Sequence, residues 1–291
     1  MSLADRVTIS LPHGFWADDT YYREAELRPL YGGDELFLLE IGQSMLSASR
    51  VSAVLARCVT RLGPIAPVSL ESLRSLVAGD REALLLYLRR LTFGERIRGS
   101  LRCPEPACGE PMDLDIAIEQ LLLPPYSEAK QWYEATLEMD GVTYTVRFRL
   151  PTGADQEALA DAARGNPEGA AQQLLRRCME KVIAPDGQSG NGLPSALGQR
   201  LSALMAERDP QAEITLKLTC PVCDQVFTAL LDAAGYLFSE ITNRARQIYN
   251  EIHYLAFHYH WSLSEIMAMT PVQRRRHVEC LADTLESVRA R

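Results

Sequence analysis

Two short cysteine pairs constrain this chain more than any other feature of it. Residues 218–227 read LTCPVCDQVF and carry Cys220 and Cys223, while residues 101–117 read LRCPEPACGEPMDLDIA and carry Cys103 and Cys108. A structural zinc ion takes four ligands in a tetrahedron, so either pair alone is half a site. Each pair follows a strand-like lead-in and precedes a short alternating segment, which is the pattern of a zinc knuckle on a hairpin. Cys103, Cys108, Cys220 and Cys223 are therefore the expected ligands of one Zn2+. Four thiolates leave no open position for water, so the metal is expected to be a structural staple and not a catalyst. The alternative for the same residues is four reduced thiols in a decayed site that still packs as a pair of hairpins.

Internal similarity accounts for the long separation of the two pairs. Residues 7–14 read VTISLPHG and residues 146–153 read VRFRLPTG, two alternating patterns that end in Leu-Pro-x-Gly. A helix-like run with its own cysteine precedes each pair at a similar distance, SAVLARCVTRL around Cys58 and QQLLRRCMEKV around Cys178. The order strand, turn, helix, helix, cysteine pair thus occurs twice. Duplication explains it; chance similarity is the alternative, since pairwise identity is low.

Composition narrows the function classes. The chain has 291 residues, 47% hydrophobic and 23% charged, as expected of a globular protein with one large core or two modest ones. A formal net charge of −8 and a pI near 5.3 oppose binding to a phosphate backbone. The start, MSLADRV, lacks a basic segment followed by an apolar one, and no apolar run approaches the roughly 18 residues of a membrane span. Seven cysteines without an export signal point to reduced thiols or metal ligands.

Local patterns give the elements. The first strand is expected to end at Pro12 and Gly14, with a loop through YGGDE to about residue 35. SRVSAVLARCVTRL has helical spacing and is broken by Pro64 and Pro67. VSLESLRSLVAGD reads as a short helix capped by Ser69 and stopped by Gly79. Asp80 then caps REALLLYLRRLTFG, a buried helix that Gly94 closes. IAIEQLLLPP is a short helix stopped by Pro124 and Pro125. YEATLEMDGVTYTVRFRLP is a hairpin turning at Asp140-Gly141. Helices are expected from Asp155, from Pro167 through Cys178, and over ALGQRLSALMAE, and ITLKLTC is a strand. IAPDGQSGNGLP is a Gly/Pro-rich, mobile loop. One long helix covers about 232–259. WSLSEIMAMTP carries a Ser262/Glu265 capping box, and Thr270-Pro271 opens the final helix.

Other candidate sites are weaker. His253, His258 and His260 lack the i, i+4 spacing of a helical metal site, and the interleaved aromatics suggest packing. Cys58, Cys178 and Cys280 sit in helical, apolar settings and are expected to be buried small hydrophobes. Arg274, Arg275 and Arg276 spread around a helix, which favours salt bridges or an acidic partner surface over a nucleic-acid stripe. LPTG at 150–153 lacks the context of a sortase signal, and no Walker loop, nucleophile elbow or HExxH is present. Nothing in the sequence argues for an enzyme.

LPHG, GDREALLLYLRRLTFG, LPTGADQEALA, the CPVC knuckle and EIHYLAFHYHWSLSEIMAMTPVQRRRHVECL occur in this order. Together they resemble a family of baseplate proteins from contractile-tailed phages and phage-tail-like contractile injection systems, described as baseplate hub assembly chaperones of the T-even type. The resemblance implies a non-enzymatic protein that helps build a baseplate or stays in it. Its partners would be hub, spike or wedge proteins, and it would be found in the bacterial cytoplasm or the assembled tail particle. It also carries zinc ligation onto Cys103, Cys108, Cys220 and Cys223, although the first pair departs from a plain C-x(2)-C.

The expected fold is α+β, mainly α. Internally duplicated helix/β-hairpin units are joined by a split zinc-ribbon, with a helical C-terminal region. The boundaries are 1–122, 123–231 and 232–291. Tyr236, Phe238, Tyr249, Tyr254, Phe257, Tyr259 and Trp261 in the last region form a candidate docking face. No nucleic acid and no membrane insertion are expected. A zinc-ribbon adaptor or nucleic-acid-associated regulator is the competing function, which the acidic charge opposes.

Overall fold

The computed structural model describes residues 6–41, 45–139, 141–183, 189–190 and 195–289. The fold is α+β, with helix outweighing strand. Strands β1 (Val7–Ala17) and β2 (Thr20–Leu27) form a hairpin turned by Asp18 and Asp19. Both lie at positive φ, 48° and 59°, which short polar side chains tolerate in a tight primed turn. Helices α1 (Gly32–Ile41) and α2 (Ser47–Cys58) follow, and β3 (Val59–Leu62) returns to complete a sheet ordered β1-β2-β3. Next come α3 (Leu70–Arg74), α4 (Ala78–Phe93), the hairpin β4 (Arg96–Arg102) and β5 (Pro111–Ala117), and a 3-10 turn at Ile118–Gln120.

The same order then recurs. A hairpin of β6 (Tyr133–Met139) and β7 (Val142–Phe148) leads to α5 (Gly153–Gly165) and α6 (Pro167–Cys178). β8 (Met179–Ile183) pairs back onto β7, and β9 (Ser189–Gly190) extends the sheet to the order β6-β7-β8-β9. Then come α7 (Ser195–Arg208), a 3-10 turn at Pro210–Ala212, and the hairpin β10 (Thr215–Thr219) and β11 (Val226–Leu230). The chain ends in α8 (Ala233–Tyr259), α9 (Leu263–Met267) and α10 (Pro271–Arg289).

The recurrence reaches individual hydrogen bonds. Asp34 accepts from Arg28 at 2.6 and 3.2 Å and from Arg57 Nε at 2.7 Å. Asp155 accepts from Arg149 at 2.6 and 3.1 Å and from Arg177 Nε at 2.8 Å. Arg28 N donates to Cys58 O as Arg149 N donates to Cys178 O. The β2–β3 register shifts after Glu26, and the β7–β8 register shifts after Arg147. The corresponding segments are thus RPLYGGD at 28–34 and RLPTGAD at 149–155. The expected pairing of LPHG with LPTG is one element out of step.

LPHG is also not the end of a strand. β1 runs through it with a bulge between Ser10 and Phe15. The bulge frees the His13 and Gly14 N–H groups, and both donate to the Asp80 carboxylate at 2.8 and 2.9 Å. Asp80 therefore serves β1 and does not cap α4, whose N-cap is Val77. Gly79 lies in the first turn of α4 and donates its N–H to Asp209 at 2.9 Å, so it terminates nothing. The expected loop through YGGDE to about residue 35 is instead the end of β1, β2 and the start of α1. The helix through Cys58 stops there, because VTRL pairs with β2 as β3. IAIEQLLLPP forms only one 3-10 turn.

Other signals match their elements. Ser69 caps α3, Gly94 closes α4 at φ 100°, Asp232 caps α8, and Ser262 and Glu265 form the capping box of α9. Asp140 and residues 184–188 and 191–194 of the expected mobile loop lie outside the described residues, as do residues 1–5. No helix among the described residues is long and apolar enough to cross a membrane.

Three apolar clusters organise the interior. The largest joins β1–β3, α2 and α4 to Leu237, Phe238 and Ile241 of α8. A second lies under β6–β8, α6 and α7. A third, with Leu86, Ile97, Ile118, Leu121, Ile214 and Ala233, sits at the base of the two cysteine hairpins.

Candidate metal centre

The two cysteine hairpins are built alike. The β4–β5 pairing ends at Arg102 with Pro111, and Cys103 N then donates to Glu110 O at 2.9 Å. The β10–β11 pairing ends at Thr219 with Val226, and Cys220 N donates to Gln225 O at 2.9 Å. Each tip turns back through one left-handed residue directly after its second cysteine, Gly109 at φ 58° and Asp224 at φ 56°. The two extra residues of the first loop fit before Cys108, whose N–H donates to Glu105 O at 2.9 Å. Strand pairing and the apolar cluster at the base aim both tips at the same point. Tyr236 Oη on α8 donates to Arg98 O at 2.7 Å and ties β4 to the helix that leaves the second hairpin.

All four Sγ atoms lie within 4.8 Å of one another. Cys103 and Cys223 are 3.6 Å apart across the hairpins, and Cys108 and Cys220 are 3.8 Å apart. These distances far exceed a disulfide bond of roughly 2.05 Å, and all four cysteines are free. A tetrahedron with metal–sulfur bonds of about 2.3 Å has edges of roughly 3.8 Å, so the donor set fits an S4 metal centre. Cys103 and Cys220 are buried, Cys108 is half-buried and Cys223 is exposed.

The electrostatics suit a cation. Backbone N–H groups of Cys223 and Val222 bring the Cys220 thiol down to about 7. Burial pushes Cys103 up to about 12. The Glu110 backbone pulls Cys108 down, but burial and the neighbouring sulfurs outweigh it and leave its pKa raised. Without a cation Cys220 ionises readily, whereas Cys103 and Cys108 resist ionisation. A divalent metal would overcome that resistance and release protons on binding.

The remaining candidates do not converge. Among the described residues the cysteine quartet is the one group of His, Cys, Asp and Glu arranged to hold a metal. His253 stacks on Phe257, and His258 meets Tyr254 edge-on, as packing side chains do. Cys58 and Cys178 are buried as expected, whereas Cys280 is exposed because it faces away from the packed side of α10. Arg274 is buried and ion-paired with Glu35 and Glu251, and Arg275 pairs with Glu279 on its own helix. Of the aromatics proposed for docking, Phe238 is core and Tyr236 holds β4, whereas Tyr249 and Phe257 are 62% and 66% exposed.

Two polar constellations escaped the sequence reading. One is the pair of Arg–Asp–Arg clamps, whose signal was the spacing R-x-x-x-G-x-D. The other joins both halves. His13 Nε2 lies 3.2 Å from Tyr133 Oη, and Tyr126 Oη donates to Asp209 at 3.1 Å. Burial raises both Asp80 and Asp209. No local signal marks this group, because its members come together only in the fold.

A family model described as T4 bacteriophage base plate protein matches residues 19–238, which include all four cysteines and end within α8. No curated protein and no solved structure matches the chain.

Proposed function

This chain belongs to the T4 bacteriophage base plate protein family, and from that membership we propose that it acts without catalysis, as a docking platform stapled by one structural zinc ion. The observation that carries the reading is the meeting of four Sγ atoms from two hairpins 112 positions apart in the chain. Zinc and a single iron both suit a tetrahedral S4 site. Zinc needs no redox chemistry, which fits a staple. Structural zinc contributes roughly 10–16 kcal/mol of apparent binding energy in small domains, enough to hold two lobes in one orientation.

The recurring Arg–Asp–Arg clamps, register shifts and knuckles support a duplicated unit, with each copy donating half of the zinc site. The units are residues 1–122 and 123–231, and residues 232–291 form a helical extension over the first. The partners are other baseplate proteins of the hub, spike or wedge, met during hub assembly or in the finished tail. Tyr249 and Phe257 are the aromatic anchors of the extension that stay free for such contact. A net charge of −8 opposes a role on nucleic acid.

Elemental analysis of the purified chain tests the staple. The expected result is one zinc per chain in the wild type and none in Cys103→Ser or Cys220→Ser, with a lowered melting temperature. A metal-free wild type as stable as the metal-loaded one would overturn it.

A further inference from the structure

We propose that the open groove between α6 and α7 is the seat of an amphipathic helix from another baseplate protein. The proposal rests on the repeat and baseplate readings given above and goes beyond them to a specific surface and a specific kind of partner.

The first half of the chain shows what such a seat is for. There α1, α2 and α4 form a trough that α8 fills. Val51, Val54 and Leu55 of α2 and Leu85 and Leu88 of α4 are buried together with Leu237, Phe238 and Ile241 of α8. The Arg50 guanidinium stacks on the Phe238 ring at 4.0 Å, and Arg89 pairs with Glu240 at 2.9 Å.

Placing Asp155 on Asp34 and Cys178 on Cys58 sets α6 on α2, so that Ala171 matches Val51 and Leu175 matches Leu55. Placing Cys220 on Cys103 sets α7 on α4, so that Ser202 matches Leu85 and Ala206 matches Arg89. In the second half these positions line a groove of about 670 Å³ that no helix among the described residues covers. Leu174 and Leu175 are only half-buried, and Ala171, Ser202 and Ala206 are exposed.

The reason the groove is bare is visible in the chain. α8 starts where the second cysteine hairpin ends, and it crosses onto the first half. The matching exit from the first hairpin is the Ile118–Gln120 turn, followed by LLLPP. Pro124 and Pro125 cannot continue a helix, so the segment that would cover α6 and α7 stops after one turn. Leu123 is left 39% exposed at its end. The chain thus supplies one of two equivalent covering helices, and the other comes from outside.

The chemistry of the occupant follows from α8. It is a helix with a small residue and then larger apolar ones at the spacing of Ala234, Leu237, Phe238 and Ile241. Ala206 stands where Arg89 does, so no acid is required at the place of Glu240. Glu168 and Arg176 on α6 line the groove instead, and they call for a basic and an acidic residue on the incoming helix. A second copy of this chain has no free α8 to offer, since its own is held by α1, α2 and α4.

The test places a photo-crosslinking amino acid at Ala206 of the full chain, produced together with the other baseplate proteins, and maps the crosslinked peptide by mass spectrometry. The expected product is one amphipathic segment of a different baseplate protein. That segment, made as a synthetic peptide, should bind the full chain and bind at least tenfold more weakly to Ala171→Arg and Ser202→Arg. Both positions are exposed, so both variants should melt within a few degrees of wild type. Crosslinks to this chain itself, crosslinks only to non-helical segments, no crosslink, or unchanged peptide binding by the variants would each overturn the proposal. Variants that bind and assemble normally while Cys220→Ser does not would sink the groove and leave the stapled platform standing.

Discussion

Asp34 and Asp155 are each held between two arginines, and the physics of the pair is unusually clean. Burial alone would raise both carboxyls. Hydrogen bonds from Arg28, the Tyr31 backbone and Arg57 outweigh burial at Asp34, and those from Arg149, the Thr152 backbone and Arg177 do so at Asp155. Both acids therefore sit below the usual carboxylate range. A depressed folded pKa gives stability that is present above the unfolded value of about 3.9 and lost as pH falls through the folded value. Urea unfolding should thus show these clamps at full strength from pH 7 to 5, with a decline below about pH 4. Asp155→Asn should cost about 2–3 kcal/mol at pH 7, less than the roughly 3–5 of a fully buried pair because Arg177 is partly wet, and should flatten the acid limb.

The glycine two positions before each acid matters for a similar reason. A Cβ on Gly153 would lie 2.4 Å from the Arg81 guanidinium, and one on Gly32 would lie 2.8 Å from that of Arg274. Gly153→Ala should cost about 1–3 kcal/mol by overpacking, read as a lower urea midpoint with an unchanged slope. Both glycines and both acids were in plain view in RPLYGGD and RLPTGAD. LPHG drew the alignment instead because it copies the letters of LPTG without copying its place in the fold.

Among the elements, those with local signals were legible and those set by distant partners were not. The β6–β7 hairpin, α6 and the C-terminal capping box follow from alternation, Pro167 and the Ser262/Glu265 pair, and α8 from its long helical run. The β1 bulge depends on Asp80, which is 67 positions from His13, so no window around LPHG could show it. The end of α2 was missed because VTRL continues the helical spacing, and only pairing with β2 decides against it. α8 separates two roles along one element. Phe238→Ala should cost about 3–5 kcal/mol, since it empties the centre of the largest cluster. Tyr249→Ala and Phe257→Ala should change stability by no more than about 0.5 kcal/mol. If these faces dock a partner, the latter two should weaken its co-purification. Thermal melts and binding on the same three variants check both halves of the statement.

At the scale of the molecule, two similar halves meet along the cysteine hairpins and share α8. The first half is covered by its own extension; the second is not. A metal held between two similar halves would account for the closed S4 arrangement of Cys103, Cys108, Cys220 and Cys223 in this acidic chain. Stripping the metal with a chelator under reducing conditions should lower the melting temperature by about 10 °C or more, given the energy of a structural zinc. The four clustered cysteines were legible because C-x(2)-C and C-x(4)-C are local. Their meeting was legible only through the repeat. The groove was not legible, since an empty surface leaves no pattern of its own.

X-ray absorption at the zinc edge of the full chain, purified without added metal, reads the central claim most directly. The account predicts one zinc with four sulfur neighbours at about 2.3 Å, and a drop to three sulfurs or loss of metal in Cys108→Ser. Nitrogen or oxygen in the first shell of the wild type, or a spectrum that Cys108→Ser leaves unchanged, would contradict it.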